Sequence, residues 1–211
     1  GAAADGATTV VTAPAAEVPT VGSQNGAAPA DVGAASHPSI EAEIAVVGGG
    51  PTGALAALCA ADAGWHTALV APNAGHDPRT TALLMPASEL LTELGAWADI
   101  EDDAAPLATM RLVDDTGRLP SAPEISFDAH EIELDQFGFN IPNNVLNGAL
   151  SRALEASGVV RVDAAADAVT PGAPVKIGAD GVTVAAQFVV AADGSQSLVR
   201  EEAGLKVRRW R

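Results

Sequence analysis

The stretch Ile44-Ala45-Val46-Val47-Gly48-Gly49-Gly50-Pro51-Thr52-Gly53 is a short apolar run that passes straight into a glycine loop and then into an alanine-rich segment. That order predicts a strand, a tight turn and a helix. Gly48 suits the sharp turn, Gly50 leaves no side chain between the backbone and an approaching phosphate, and Gly53 lets the helix lie close on the strand. The first N–H groups of such a helix lack intrahelical partners and sit at the positive end of its dipole, so an anion is favoured there. The segment reads as a seat for a dinucleotide pyrophosphate. No Lys or Arg precedes Arg79, so phosphate binding at this loop falls to backbone amides.

Working outward, the pattern predicts a strand over residues 42–48, a helix over 51–63 ended by Gly64, and a strand over 66–70, which together form a βαβ unit. Leu55, Leu58 and Cys59 share one face of the helix, which places Cys59 in the core. Leu90, Leu91 and Leu94 mark a second short helix closing at Gly95. Met110-Arg111-Leu112-Val113 then alternates like a strand, turned by Asp114-Asp115-Thr116-Gly117, and a β-rich insertion is expected to begin there. Leu146, Leu150 and Leu154 stand four residues apart and predict a helix over 143–156, ending before Gly158. Strands are expected over 159–162, on either side of a hairpin at Ala179-Asp180-Gly181, and over 188–191. The fold class is α/β, with a Rossmann-like dinucleotide-binding sheet and a β-rich insertion.

Composition bounds the function. The 211 residues carry 27 acidic against 11 basic side chains, a formal charge of −16, which opposes a polyanionic partner and excludes nucleic acid. No apolar run approaches the ~20 residues that cross a bilayer. Cys59 is the single cysteine of the sequence, so no intrachain disulfide forms. Residues 1–38 are Ala, Gly, Pro, Thr and Val without periodicity, and are expected to form a disordered tail lacking the features of a signal or transit peptide. Residues 39–211 are the expected folded domain. His37, His66, His76 and His130 show no ligand spacing with one another or with Cys59, so no metal site is expected. Glu101-Asp102-Asp103 reads as a solvated loop.

Two further motifs accompany the glycine loop: Asp77-Pro78-Arg79-Thr80-Thr81-Ala82-Leu83 and Ala191-Ala192-Asp193-Gly194-Ser195-Gln196-Ser197-Leu198-Val199-Arg200. An NAD-type site expects an acid about 20 residues beyond the loop to hold the ribose. Here Leu69-Val70-Ala71-Pro72 offers none, Asp62 lies too early and Asp77 falls in the following loop, which leaves the ribose contact unassigned. An arginine after the second strand can pair its guanidinium with phosphate. The Asp193 carboxylate can accept from a sugar hydroxyl while Gly194 admits a ligand closely. Ser197 and Arg200 occupy the remaining positions of the third motif, with a helix cap and a surface ion pair as the alternative reading. Asn143, at the start of a helix, can cap it.

With Phe137-Gly138-Phe139-Asn140-Ile141-Pro142-Asn143, these three motifs resemble the FAD-dependent aromatic hydroxylases, and within them the ubiquinone-biosynthesis hydroxylases of the UbiH and UbiF kind. The resemblance runs from Glu41 to the C-terminus. It implies a p-hydroxybenzoate-hydroxylase-like fold and assigns to the FAD cofactor Gly48, Gly50, Thr52 and Gly53, Arg79, Asn143, Asp193 and Gly194, and Ser197 with Arg200. It implies NADH or NADPH as reductant, O2 as co-substrate, and hydroxylation of an aromatic ring on a polyprenyl phenol, a ubiquinone precursor. It also implies a cytoplasmic protein meeting the inner membrane face beside other quinone-biosynthesis proteins. No catalytic acid or base is assigned. Family members continue past the point where this sequence stops into a substrate-binding sheet and a third flavin motif, so the chain is expected to be the truncated front portion of a longer enzyme. Two other readings stand beside this one: a non-catalytic nucleotide-binding or partner-binding remnant, and an NAD(P)-dependent reductase.

Overall fold

The structure, a computed structural model, describes residues 38–73, 75–117 and 122–208. The tail expected over 1–38, with His37, therefore lies outside the described residues except for Pro38. The first strand, β1 (Ser39–Val47), leads through Gly48–Gly50 into helix α1 (Pro51–Asp62) and strand β2 (Thr67–Val70), which is the βαβ unit expected from the sequence. Proline at N1 starts α1, where its missing N–H costs nothing. Gly64, at φ 87°, follows its end in the left-handed conformation that glycine adopts without strain.

After β2 the chain leaves the sheet. It forms β3 (Thr80–Leu84), α2 (Met85–Glu93), β4 (Ala105–Leu107), β5 (Thr109–Leu112), β6 (Ile125–Asp128) and β7 (Gly138–Pro142) before returning through α3 (Asn143–Ala156). β3, β7 and β4 make an antiparallel three-stranded sheet, and β5 with β6 a separate ribbon. The β-rich insertion thus begins at Thr80, not at Met110. Thr80–Leu84 alternates in exposure along its length, a period-two signal too short to stand out beside the adjoining helix. Glu101–Asp103 forms one turn of 3₁₀-helix with its acids exposed, where a loop was expected.

The chain then adds β8 (Val160–Val162), β9 (Ala168–Thr170), β10 (Val175–Ala179), β11 (Val182–Ala191) and a short α4 (Leu198–Glu202). Among the described residues the main sheet has the order β8-β2-β1-β11-β10-β9, with β8, β2, β1 and β11 parallel and β10 and β9 antiparallel. Asp180 and Gly181, at φ 46° and 74°, make the two-residue turn between β10 and β11 that an Asp-Gly pair favours.

One face of the sheet packs on α1 and α3 through Val46, Leu69, Ala54, Leu58, Leu146 and Leu150. On the other, Ala45, Val47, Ala68 and Val70 cluster with residues of β9–β11, among them the fully buried Ile177 and Val184, and with Val199 of α4. At about 25 cal/mol per Å², each fully buried Leu or Ile contributes roughly 1.5–3 kcal/mol, so α3 is held by its leucine stripe rather than by local propensity. The helix faces its core side differently than expected for Cys59, which is half-buried. α1 buries Gly53, Ala54, Ala57 and Leu58. Small residues bring helix and strand together closely, and that rotates Cys59 toward the rim. Burial, followed by the nearby Asp62 carboxylate, raises its thiol above the ordinary cysteine range.

Candidate functional site

Parallel strands β1, β2 and β11 end together, and the loops leaving them bring the first and third sequence motifs into contact. Gly48 sits at φ 112°, and a Cβ there would lie 2.2 Å from the Ala192 carbonyl oxygen and 2.7 Å from the Asp193 nitrogen. A Cβ on Gly53 would lie 1.9 Å from the Gly48 oxygen and 3.1 Å from the Ala192 Cβ. These two glycines therefore let β1, α1 and the end of β11 close on one another. Gly50 differs. Its φ of −68° suits any residue, and a Cβ there would meet nothing within 4 Å. It caps α1 without a side-chain hydrogen bond, and Thr52 is exposed in the first turn. Open space thus stands over the helix N-terminus where an anion is favoured.

Beside it lies a cleft of about 290 Å³ walled by Gly48, Val70, Pro72, Ala165 and Asp193. Asp193 Oδ2 accepts from the Val199 N–H at 3.2 Å, while Oδ1 is buried with no partner. An orphaned buried carboxylate oxygen calls for a donor. Burial alone would raise this carboxyl, but the Ser197 hydroxyl and the Val199 amide outweigh it and hold the group below the ordinary aspartate value. Gly194 follows at φ 85° with nothing within 4 Å of its would-be Cβ. Ser197 caps α4, its Oγ accepting from the Arg200 N–H at 3.0 Å. Arg200 Nη2 donates to the Ser195 carbonyl at 2.9 Å and its Nε is buried without a partner.

The second motif is organised by a residue that sequence reasoning set aside. Arg79 Nε and Nη2 donate to the two carboxylate oxygens of Asp77 at 2.8 and 2.7 Å. Asn143 Nδ2 donates to Asp77 Oδ2 at 2.8 Å, and Thr81 Oγ1 donates to Asn143 Oδ1. Asn143 is therefore no helix cap: Pro142 holds the cap position, and the buried Asn143 side chain ties the Asp77 loop to β3. Arg79 keeps its Nη1 edge and is largely exposed. The Asx turn from Asp77 Oδ1 to the Arg79 N–H, 3.1 Å, was the signal in the sequence that could have marked Asp77.

Hydrogen bonds from Arg79 and Asn143 hold Asp77 well below the usual carboxylate range, and backbone amides lower Asp114 and Asp128. A carboxyl depressed in the folded state contributes stability above its unfolded pKa of ~3.9 and loses it as pH falls through the folded value. The thermal midpoint is expected to be level above about pH 5 and to fall progressively below about pH 4, as read by circular dichroism. Exposure of these carboxylates keeps each contribution small.

The resident set fits a dinucleotide: open ground at Gly50, an acceptor without a donor at Asp193, and a guanidinium edge at Arg79. Among the described residues no group of three or more His, Cys, Asp or Glu side chains could hold a metal ion, and no helix is long and apolar enough to cross a membrane.

The family model for the FAD binding domain matches residues 41–210. The 3-demethoxyubiquinol 3-hydroxylase of Escherichia coli (strain K12) is 31% identical over 186 residues, covering 80% of this chain and 45% of that protein. The ubiquinone hydroxylase UbiL of Rhodospirillum rubrum is 28% identical over 187 residues, covering 79% and 40%. The chain thus spans less than half the length of these curated relatives. In structure it is similar to p-nitrophenol 4-monooxygenase PnpA from Pseudomonas putida DLL-E4, with a TM-score of 0.64 and 22% identity over 80% of this chain and 45% of that one, a likeness of fold. A match over most of the chain, joined to a glycine loop that leaves room for a pyrophosphate, places the protein: it belongs to the FAD-binding domain family.

Proposed function

We propose that this chain is the FAD-binding portion of a flavin-dependent monooxygenase that uses NAD(P)H and O2 to hydroxylate an aromatic ring, with a ubiquinone precursor as substrate. The observation that carries the FAD seat is the pairing of open space at Gly50 with the orphaned Asp193 oxygen across Gly48. The substrate class rests on the likeness to the two ubiquinone-pathway hydroxylases. In this reading the α1 amides at Gly50, Thr52 and Gly53 receive the pyrophosphate, and Gly48 sets the turn that allows it. Arg79, braced by Asp77, donates to phosphate from its free edge, and Asn143 keeps that brace in place. Asp193 and Gly194 receive a sugar or ribitol hydroxyl, while Ser197 and Arg200 hold the Asp193 loop against α4. The bound flavin supplies electron transfer from nicotinamide and activation of oxygen; the chain's own residues bind, orient and exclude water.

The test is to load the purified chain with FAD, add NADPH and follow flavin bleaching, then assay a polyprenyl phenol for hydroxylation. Bleaching with product formation supports the proposal. A chain that takes up no FAD contradicts it, and a flavin-loaded chain that neither bleaches nor yields product favours a nucleotide-binding module without turnover. That second reading draws on the β5–β6 ribbon, whose cross-strand pairs Met110 with Phe127 and Leu112 with Ile125 are all exposed, an apolar surface of the kind that binds partners.

Arg79→Ala is expected to weaken FAD binding roughly tenfold, since a charge-assisted phosphate contact is worth about 1.5–3 kcal/mol and this one is solvent-exposed. Fluorescence titration at two salt concentrations checks it: wild-type affinity falls with salt more steeply than the variant's.

A further inference from the structure

The β5–β6 ribbon has two unlike faces. The cross-strand pairs Met110↔Phe127 and Leu112↔Ile125 put four exposed apolar side chains on one side, and Thr109↔Asp128 with Arg111↔Ser126 stand on the other. The polar side carries its own partners: Arg111 Nε donates to Glu124 Oε1 at 2.8 Å, and Thr109 Oγ1 to Asp128 Oδ2 at 3.4 Å. None of the four apolar residues belongs to either core cluster. A two-stranded ribbon is marginally stable alone in water, and a third strand or a packed face secures it. Among the described residues β6 has β5 as its one neighbour, so its outer edge is open. That edge presents Ile125 and Phe127 to one side and Ser126, between Glu124 and Asp128, to the other.

An apolar and acidic edge fits a strand that alternates apolar with basic side chains, and this chain carries one. Leu205-Lys206-Val207-Arg208 follows α4 in neither helix nor strand, with all four residues exposed. Five of the 11 basic residues of the sequence, Arg200, Lys206, Arg208, Arg209 and Arg211, stand from position 200 onward. At a formal charge of −16 two copies repel over most of their surface, and a basic end meeting the acids of β6 is a contact of favourable sign. The same acids oppose an anionic lipid surface.

We propose that residues 205–208 of one copy add as a third strand to the outer edge of β6 in a second copy. In antiparallel register Leu205 stands opposite Phe127 and Val207 opposite Ile125 on the apolar side, while Lys206 stands opposite Ser126, between the two acids. The Leu205 N–H is bonded to the Arg200 carbonyl at 3.1 Å, which fixes where the added strand begins. Within one chain Leu205 borders a groove with Val175 and Phe188 on the main sheet, whereas the ribbon is a separate sheet. A second copy brings the two together, and reciprocal exchange closes a two-fold dimer. The inference names the partner of the exposed ribbon and holds whether or not the chain turns over a substrate.

The experiment is sedimentation velocity on the 211-residue chain over a range of concentrations, with folding followed by circular dichroism. A concentration-dependent dimer is expected. Lys206→Glu and Ser126→Lys, both at exposed positions, should each weaken it roughly tenfold, because each sets like charges against one another across the added strand. Mixing the two variants should restore association: one crossed contact keeps the wild-type pair and the other sets a glutamate against a lysine. A chain that stays monomeric as concentration rises overturns the proposal. Association that both variants leave unchanged, or that mixing fails to restore, overturns it as well.

Discussion

Gly53→Ala is expected to destabilise the chain by at least about 3 kcal/mol, enough to leave much of it unfolded or insoluble. The added methyl would sit 1.9 Å from the Gly48 carbonyl oxygen, so the atom in the way is backbone and cannot rotate aside. Relief requires α1 to lift off β1. That movement would open the core at Ala54, Ala57 and Leu58, which pack there because the helix lies so close. Gly48→Ala should do similar damage by another route: φ of 112° excludes a side chain, and the Ala192 carbonyl stands 2.2 Å from where it would go. Gly50→Ala separates folding from function. Its φ is ordinary and its surroundings are empty, so stability should stay within about 0.5 kcal/mol of wild type while FAD affinity drops, the new methyl standing in the space the proposed seat gives to the pyrophosphate. Thermal melts paired with FAD titrations on the three variants check the contrast. A Gly53→Ala protein that melts with the wild type would contradict the close-packing explanation.

Asp193→Ala should produce the largest loss of FAD affinity among variants that still fold. It removes the acceptor for the Val199 N–H and the buried, unpaired oxygen of a residue that lines the cleft. The first loss frays α4, a five-residue helix that remains capped by Ser197, and costs about 1–2 kcal/mol. The second deletes a charged acceptor for a cofactor hydroxyl, worth about 1.5–3 kcal/mol, or roughly 10- to 100-fold in Kd. Asp193→Asn keeps the shape and one acceptor, so it should recover the melting temperature but only part of the affinity. If Asp193→Ala binds FAD as tightly as wild type, the carboxylate serves α4 alone.

The elements legible in the sequence were those whose signal is local. The β1-α1-β2 unit was marked by a run of apolar residues, three glycines with separate steric roles and Pro51; α3 by leucines at four-residue spacing; the last hairpin by Asp180-Gly181. Each is dictated by contacts within a dozen residues. What escaped depends on partners distant in the chain. Asp77 is separated from Asn143 by 66 positions, and only the pairing of β3 with β7, which brings the Asn143 N–H to the Arg79 carbonyl at 2.9 Å, joins them. Asn143 has the residue type and position of a cap, yet its side chain is spent on Asp77 and Thr81. Arg161 reaches Asn73, 88 positions away, only through the β2–β8 register. Cys59 was misplaced because periodicity in an alanine-rich helix says little about which face is inward when the smallest side chains make the contact.

The proposed seat spans both sides of Gly48, and its most direct test is calorimetric titration of FAD into the purified 211-residue chain, with folding verified by circular dichroism. One FAD per chain is expected, displaced competitively by ADP and weakened in Gly50→Ala and Asp193→Ala without loss of secondary structure. A folded wild-type chain that takes up no FAD, or one whose uptake is indifferent to both substitutions, would contradict it.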